Sequence, residues 1–394
     1  MQDLRPFRAF ALVVVLLAVA SLLLDHLNGR LWLNDFRVYY MAADHLRHGL
    51  PVYNEVFGED TGLYKYAPVV LYFFLPYTYL PFEVAGAIHC LVIGVLLTVC
   101  FVVVERSLQR IVPGLPRTGP RAFLGLLCIV VLLARELHLG NINAGLILLA
   151  AAGVERLLAG NRRTAGFLWG VVWLVKPYLL LMIVPLVVRR EGQVLRTAAI
   201  SLAIGLALPV LVQGPSTGWA LTRTWVGSMQ YHTQVMFSPD HLGAMLSSYT
   251  GMASSTLMDA GIIAVAGLLL CALTWRNTRR EAVGNGPLRD RAFELWLAMA
   301  LLPNLVITDQ QHFMFALPLV LFILAHLFTR RDPMVLALFL LAMLLYATRS
   351  SDLWGSALED RLMGWGVLGM GNILLMGVAL LAWRRGAATG GNIR

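Results

Sequence analysis

Charge is scarce in this chain and lysine is nearly missing. Of 394 residues only 13% are Asp, Glu, Lys or Arg, against 58% apolar, and the mean hydropathy is +0.72. So little polar material cannot coat a water-soluble globule, which excludes a soluble protein of this length and leaves a polytopic membrane protein. Cysteine is equally sparse. Cys90, Cys100, Cys128 and Cys271 sit inside apolar runs without CxxC spacing, so neither a disulfide framework nor a zinc cluster is indicated. The net charge of +9 falls in short arginine clusters between apolar runs and forms no basic stripe, which argues against a nucleic-acid partner.

What is there is a series of apolar runs. Ten have roughly spanning length: residues 7–24, 83–104, 121–137, 142–158, 197–213, 257–275, 292–307, 312–328, 334–347 and 363–383. The first follows Arg5 and Arg8 and lacks a small-residue cleavage site, so it reads as a retained helix and not a signal peptide. A further stretch between Arg163 and Arg189 has basic flanks that belong on one side but the length of one crossing. Split at Lys176-Pro177 it becomes two half-helices, for about 12 transmembrane helices in an all-α chain. With the N-terminus inside, the cytoplasmic loops hold 22 of the 31 basic residues but only 8 of the 22 acidic ones. Both counts put the two termini in the cytoplasm. The long loops 25–66 and 214–256 are then outside, residues 67–80 form a re-entrant or interfacial segment, and residues 1–394 make a single membrane-embedded domain.

Candidate chemistry lies at the outer ends. Asp35, in NDFRVYY directly after the first helix, is the leading candidate base. On a helix, Tyr39 shares its face at i+4, with Tyr40 beside it. The bland alternative is a surface carboxylate paired with Arg37 or capping a helix. The two lysines, Lys65 in YKYAP and Lys176 in VKPY, both stand in aromatic-proline settings. Lys176 falls at the junction of the half-helices, where a buried cation needs a partner and a helix N-terminus adds N–H donors, an arrangement suited to a phosphate. Its alternatives are snorkelling to the headgroups or pairing with Glu136. ITDQQHFMF sets Asp309 and His312 at i, i+3, and ARELHLGNINAG brings Arg135, Glu136, His138, Asn141 and Asn143 to one helix end. There the amides could read sugar hydroxyls, or simply form an Asn-Gly turn. Seven of nine histidines (His26, His45, His48, His138, His232, His241, His312) fall on the outer side, but no spacing resembles HExxH, so no metal is expected.

In order and spacing these pieces resemble glycosyltransferase family 87, the polyprenol-phosphate-mannose-dependent mannosyltransferases of the GT-C fold. The likeness rests on DFRVYY and HGLPVY (Asp35, Tyr39, Tyr40, Gly49, Pro51, Tyr53), YKYAPV and LPYTYLP (Tyr66, Pro68, Pro76, Pro81), GNIN (Gly140, Asn143), AGFLWG with LVKP (Gly166, Gly170, Lys176, Pro177), and His312. The resemblance implies an active site on the outer face of the plasma membrane and no cofactor. It also implies a polyprenyl-phosphate-sugar donor and a lipid-linked or glycan acceptor within the membrane lipids. Asp35 matches the family's acidic residue and would be the general base of an inverting transfer. Lys176 with Arg135 would hold the donor phosphate, and Tyr39, Tyr40, Lys65, Tyr66, Asn141, Asn143, Asp309 and His312 would bind substrate. Asn141 stands where the family usually has Gln. A secondary transporter or lipid flippase is the rival, since broken helices and intramembrane cations also mark transport sites.

Overall fold

The computed structural model describes residues 7–58, 62–112, 114–116, 119–235, 238–253, 255–281, 287–306 and 308–388. Arg5, Arg117, Arg394 and the side chain of His232 lie outside the described residues. Among those described there is no strand, only an isolated antiparallel bridge between Val56 and Leu63. The helices are α1 (Arg8–Leu27), α2 (Asn34–Arg47), α3 (Pro68–Phe74), α4 (Phe82–Ile111), α5 (Gly119–Leu139), α6 (Asn143–Leu158), α7 (Arg162–Val175), α8 (Ile183–Val188) and α9 (Gly192–Gln213). The second half holds α10 (Pro215–Val235), α11 (Leu242–Thr250), α12 (Thr256–Glu281), α13 (Pro287–Leu305), α14 (Leu317–Thr329), α15 (Pro333–Tyr346), α16 (Ser351–Trp354), α17 (Ser356–Gly364) and α18 (Val367–Ala388).

Among the described residues, seven helices are long and apolar enough to cross a membrane: Arg8–Leu27, Phe82–Ile111, Gly119–Leu139, Gly192–Gln213, Thr256–Glu281, Gln310–Thr329 and Val367–Gly386. The expectation of twelve is therefore not met by length and composition. Pro177–Val188 and Pro333–Tyr346 are too short, α6 and α7 have 16 and 14 residues, and α13 carries Asp290 and Glu294 in its first half. The expected outer loops carry helices too: α2 lies within the first, which is otherwise mostly non-helical, while α10 and α11 fill most of the second. Residues 68–79 are a short helix continued by a 3-10 turn, too short to span.

Ion pairs mark one end of the bundle. Arg121 and Arg110 bind Glu105 and Glu155, Arg162 and Arg291 share Glu191, Arg189 bridges Glu281 and Glu294, and Arg385 binds Asp332. These residues come from the helix ends that the charge count assigns to one side, so the chain returns repeatedly to this end.

The Lys176 break forms as local sterics dictate. Proline disfavours the α region for the residue before it, and Lys176 sits at φ −130°, ψ 91°, between α7 and the 3-10 segment Pro177–Met182. Both limbs return to the ion-paired end, at Arg162 and Arg189. Gly166 and Gly170, one turn apart on α7, let it lie against the α9 backbone, where an added Cβ would collide with the Val194 and Ala198 carbonyls. On the other side, the Trp169 indole donates to the Ala150 carbonyl of α6 at 3.1 Å. This stack of α6, α7 and α9 is what holds Lys176 in place.

Gly364-Trp365-Gly366-Val367-Leu368-Gly369 spells GxGxxG, a dinucleotide fingerprint only when it follows a strand. Here it runs from α17 into α18. Gly366 and Gly369 leave room for the backbone of Pro239 and Asp240, which a Cβ would strike.

Candidate functional site

The end opposite the ion pairs gathers most of the candidates. α2 is pinned there by its apolar face. Leu33 and Phe36 fit against Gly86 and Gly140, and the Phe36 ring stacks on His89 at 4.6 Å between centroids. The His89 Nε2–H donates to the Gly140 carbonyl at 3.0 Å. Gly140 has φ +65°, and a Cβ there would lie 2.7 Å from Phe36 Cβ, so only glycine suits the position. These contacts set Asp35 beside the start of α6.

Asp35 is half-buried, keeping part of its surface open while protein crowds the rest. Asn141 Nδ2–H donates to its Oδ2. The amide cannot flip without loss, because Asn141 Oδ1 accepts the Ile142 N–H at 2.7 Å. Burial pushes the Asp35 carboxyl up to about 6, helped by the negative charge of Asp309, while Lys65, the Asn141 bond and Lys176 pull it back. Tyr39, one turn along on the same face, meets Tyr66 hydroxyl to hydroxyl at 3.2 Å. Burial holds both phenols well above their ordinary range, so they stay neutral.

Lys176 is buried. Its Nζ donates to Asn143 Oδ1 and to His312 Nε2, both at 2.6 Å. The His312 tautomer follows from its other nitrogen, whose N–H donates to the Asp309 carbonyl at 3.1 Å. The rings of Tyr66 and Tyr178 each lie 5.8 Å from the ammonium. No carboxylate of the described residues lies within ion-pair distance of it. An ammonium has three N–H donors, so one remains unspent. Asn143 Nδ2 in turn donates to Glu136 at 2.9 Å, and Glu136 also accepts the Ala144 N–H at 3.0 Å.

The remaining candidates divide. Asp309 is exposed, and its charge reaches Asp35, Lys65 and Lys176. Lys65 is half-buried, and its carbonyl accepts the Trp225 indole N–H of α10 at 3.0 Å, joining the two outer segments. Tyr40 turns away and donates to the Leu80 carbonyl at 2.8 Å. Arg135 is exposed, about 100° round the helix from fully buried Glu136, and the structure does not bring it to Lys176. Glu136 and Tyr178 belong to the cluster though sequence reasoning did not select them as site residues. The signals were present: Glu136 is the acid beside an asparagine-rich turn, and Tyr178 follows Lys176-Pro177 directly. No group of three metal-ligating side chains occurs among the described residues.

The model of glycosyltransferase family 87 matches residues 64–302, more than half of the chain. The match contains Lys65, Glu136, Asn141, Asn143 and Lys176, and it leaves Asp35 and His312 outside. No curated protein matches the chain.

Proposed function

The chain belongs to glycosyltransferase family 87 and is a membrane glycosyltransferase, and from that premise we propose a mechanism for its site. The reaction is an inverting transfer of a sugar, most simply mannose, from a polyprenyl phosphate to a hydroxyl of a lipid-linked or glycan acceptor. The observation that carries this reading is Lys176: a buried ammonium held only by neutral acceptors, with one N–H unspent, at the same end of the bundle as the half-buried Asp35 carboxylate. An unneutralised buried cation is costly, and a lipid phosphate supplies its missing anion.

In the transfer, Asp35 accepts the proton of the acceptor hydroxyl through the oxygen that Asn141 leaves free. The acceptor oxygen forms its bond to C1 as the bond from C1 to the phosphate oxygen breaks on the opposite face. The electron pair leaves with the polyprenyl phosphate, whose growing charge is met by Lys176. Tyr39 and Tyr66, kept neutral, can donate hydrogen bonds without adding charge. The arginine-rich end supports a cytoplasmic assignment for that face and an outer-face site, in the plasma membrane. A flippase would also use a buried cation, but it has no need of a base fixed beside it.

The test is to incubate purified protein with radiolabelled polyprenyl-phosphate mannose and a membrane lipid extract. Label should move into a new product with wild type and not with Asp35→Asn. Label left wholly on the donor, with the donor transported in vesicles, would replace this reading by the flippase one.

A further inference from the structure

Glu136 is fully buried and Lys176 nearly so, and each feels the other's charge, yet they do not meet. Asn143, itself fully buried, stands between them. Its amide is oriented by the charges on either side, with Nδ2–H toward the Glu136 carboxylate at 2.9 Å and Oδ1 toward the Lys176 ammonium at 2.6 Å. The remaining Glu136 oxygen is anchored by the Ala144 N–H at the start of α6. Sequence reasoning gave this asparagine to the sugar, but its two ends are engaged inside the protein.

We propose that Asn143 is a positioning residue that acts as a charge spacer: it holds the Lys176 ammonium in place while keeping Glu136 from neutralising it. The proposal rests on the phosphate role given to Lys176 above. In a site shielded from water, opposite charges in contact attract strongly, so a direct contact between Lys176 and Glu136 would have to be broken before a phosphate could bind. With the amide interposed, Glu136 still favours a charged Lys176 from a distance, but the ammonium spends its hydrogen bonds on neutral acceptors. A substituent too short to reach both partners lets the flexible lysine side chain swing toward the anchored carboxylate.

The test is a double-mutant cycle read by binding of a short-chain polyprenyl phosphate to protein in detergent. Asn143→Ala should weaken binding by about tenfold or more, the size of one charge-assisted hydrogen bond. Glu136→Gln alone should weaken binding less than Asn143→Ala does, since it removes a distant charge and leaves the Asn143 contact to Lys176 in place. Combined, Asn143→Ala with Glu136→Gln should bind more tightly than Asn143→Ala alone, because the competing charge is gone. A merely structural asparagine predicts the reverse, with the double variant equal to or worse than the single one, and that result overturns the proposal. Asn143→Ser, paired in the same way with Glu136→Gln, serves if the alanine variant does not fold, and its rescue or lack of rescue decides equally. Lys176→Met separates the two levels of the argument. If it binds the phosphate like wild type, the role of Lys176 itself fails; if it binds weakly while the cycle shows no rescue, only the spacer fails.

Discussion

Replacing Asn141 by leucine removes the amide that donates to Asp35 and keeps nearly the same volume. A hydrogen bond to a charged group contributes about 1.5 to 3 kcal/mol, and one pKa unit corresponds to about 1.36 kcal/mol. Losing it should therefore raise the Asp35 carboxyl by roughly 1 to 2 units, from about 6 in the wild type to between about 7 and 8. The sign follows from the proposed base role: a base works ionised, so activity is lost as pH falls through its pKa, and a raised pKa moves that loss to higher pH. The assay is kcat/KM against pH from about 5 to 9 with a fixed donor and acceptor, since that ratio reports the free enzyme's ionisations. Wild type should half-activate near pH 6 and Asn141→Leu between about pH 7 and 8, the two curves drawing together at the alkaline end. The Ile142 N–H also loses its acceptor, which should cost about 1 kcal/mol of stability. An unmoved half-activation point combined with a uniformly lowered curve would refute the claim that Asn141 tunes Asp35.

Asp35→Asn should lower turnover by about 10² to 10⁴-fold with donor affinity unchanged; single-turnover transfer together with binding checks both halves. Lys176→Met and Lys176→Arg should each weaken polyprenyl-phosphate binding, the arginine because its planar fork does not suit a seat between Asn143, His312 and two tyrosine rings. Unchanged affinity in both would take Lys176 out of the site. Gly140→Ala should destabilise the protein by about 2 to 5 kcal/mol, from left-handed backbone strain and collision with Phe36, seen as a lowered melting temperature. For topology, cysteine at exposed Tyr79 should react with a membrane-impermeant reagent in intact cells and cysteine at exposed Arg279 only after permeabilisation. Equal labelling would overturn the orientation.

The spanning helices could be read from the sequence because apolar runs bounded by arginine report what faces lipid. The break at Lys176 was legible because proline restricts its own neighbour, a local rule. α10 and α11 were not, since hydropathy reports the surroundings of a helix and not its hydrogen bonding, and a polar helix such as α10 looks like a loop to that measure. Asp35, Lys176 and His312 stood out as ionisable residues at the ends of apolar runs. The roles of the two asparagines stayed hidden because their partners lie 106 and 33 residues away. Arg135 and Glu136 show a further gap: neighbours on a helix face different ways, and without the helix phase the charged pair could not be divided into an inward acid and an outward base.

Exposed aromatic residues collar the end that carries the site. Trp32 lies beside His138, Tyr79 beneath Arg47, Trp219 just past the end of α9, and Trp365 between α17 and α18. Such rings settle at the boundary between lipid tails and water, a placement that would bring the proposed site of Asp35 and Lys176 to the depth of lipid headgroups. The polyprenyl donor proposed above would then approach sideways within the bilayer, and its spent phosphate would depart by the same lateral route. The encounter is a two-dimensional one. Saturation of the enzyme should therefore follow the mole fraction of donor in the membrane, and adding inert lipid at constant total donor should slow the reaction as surely as removing donor would.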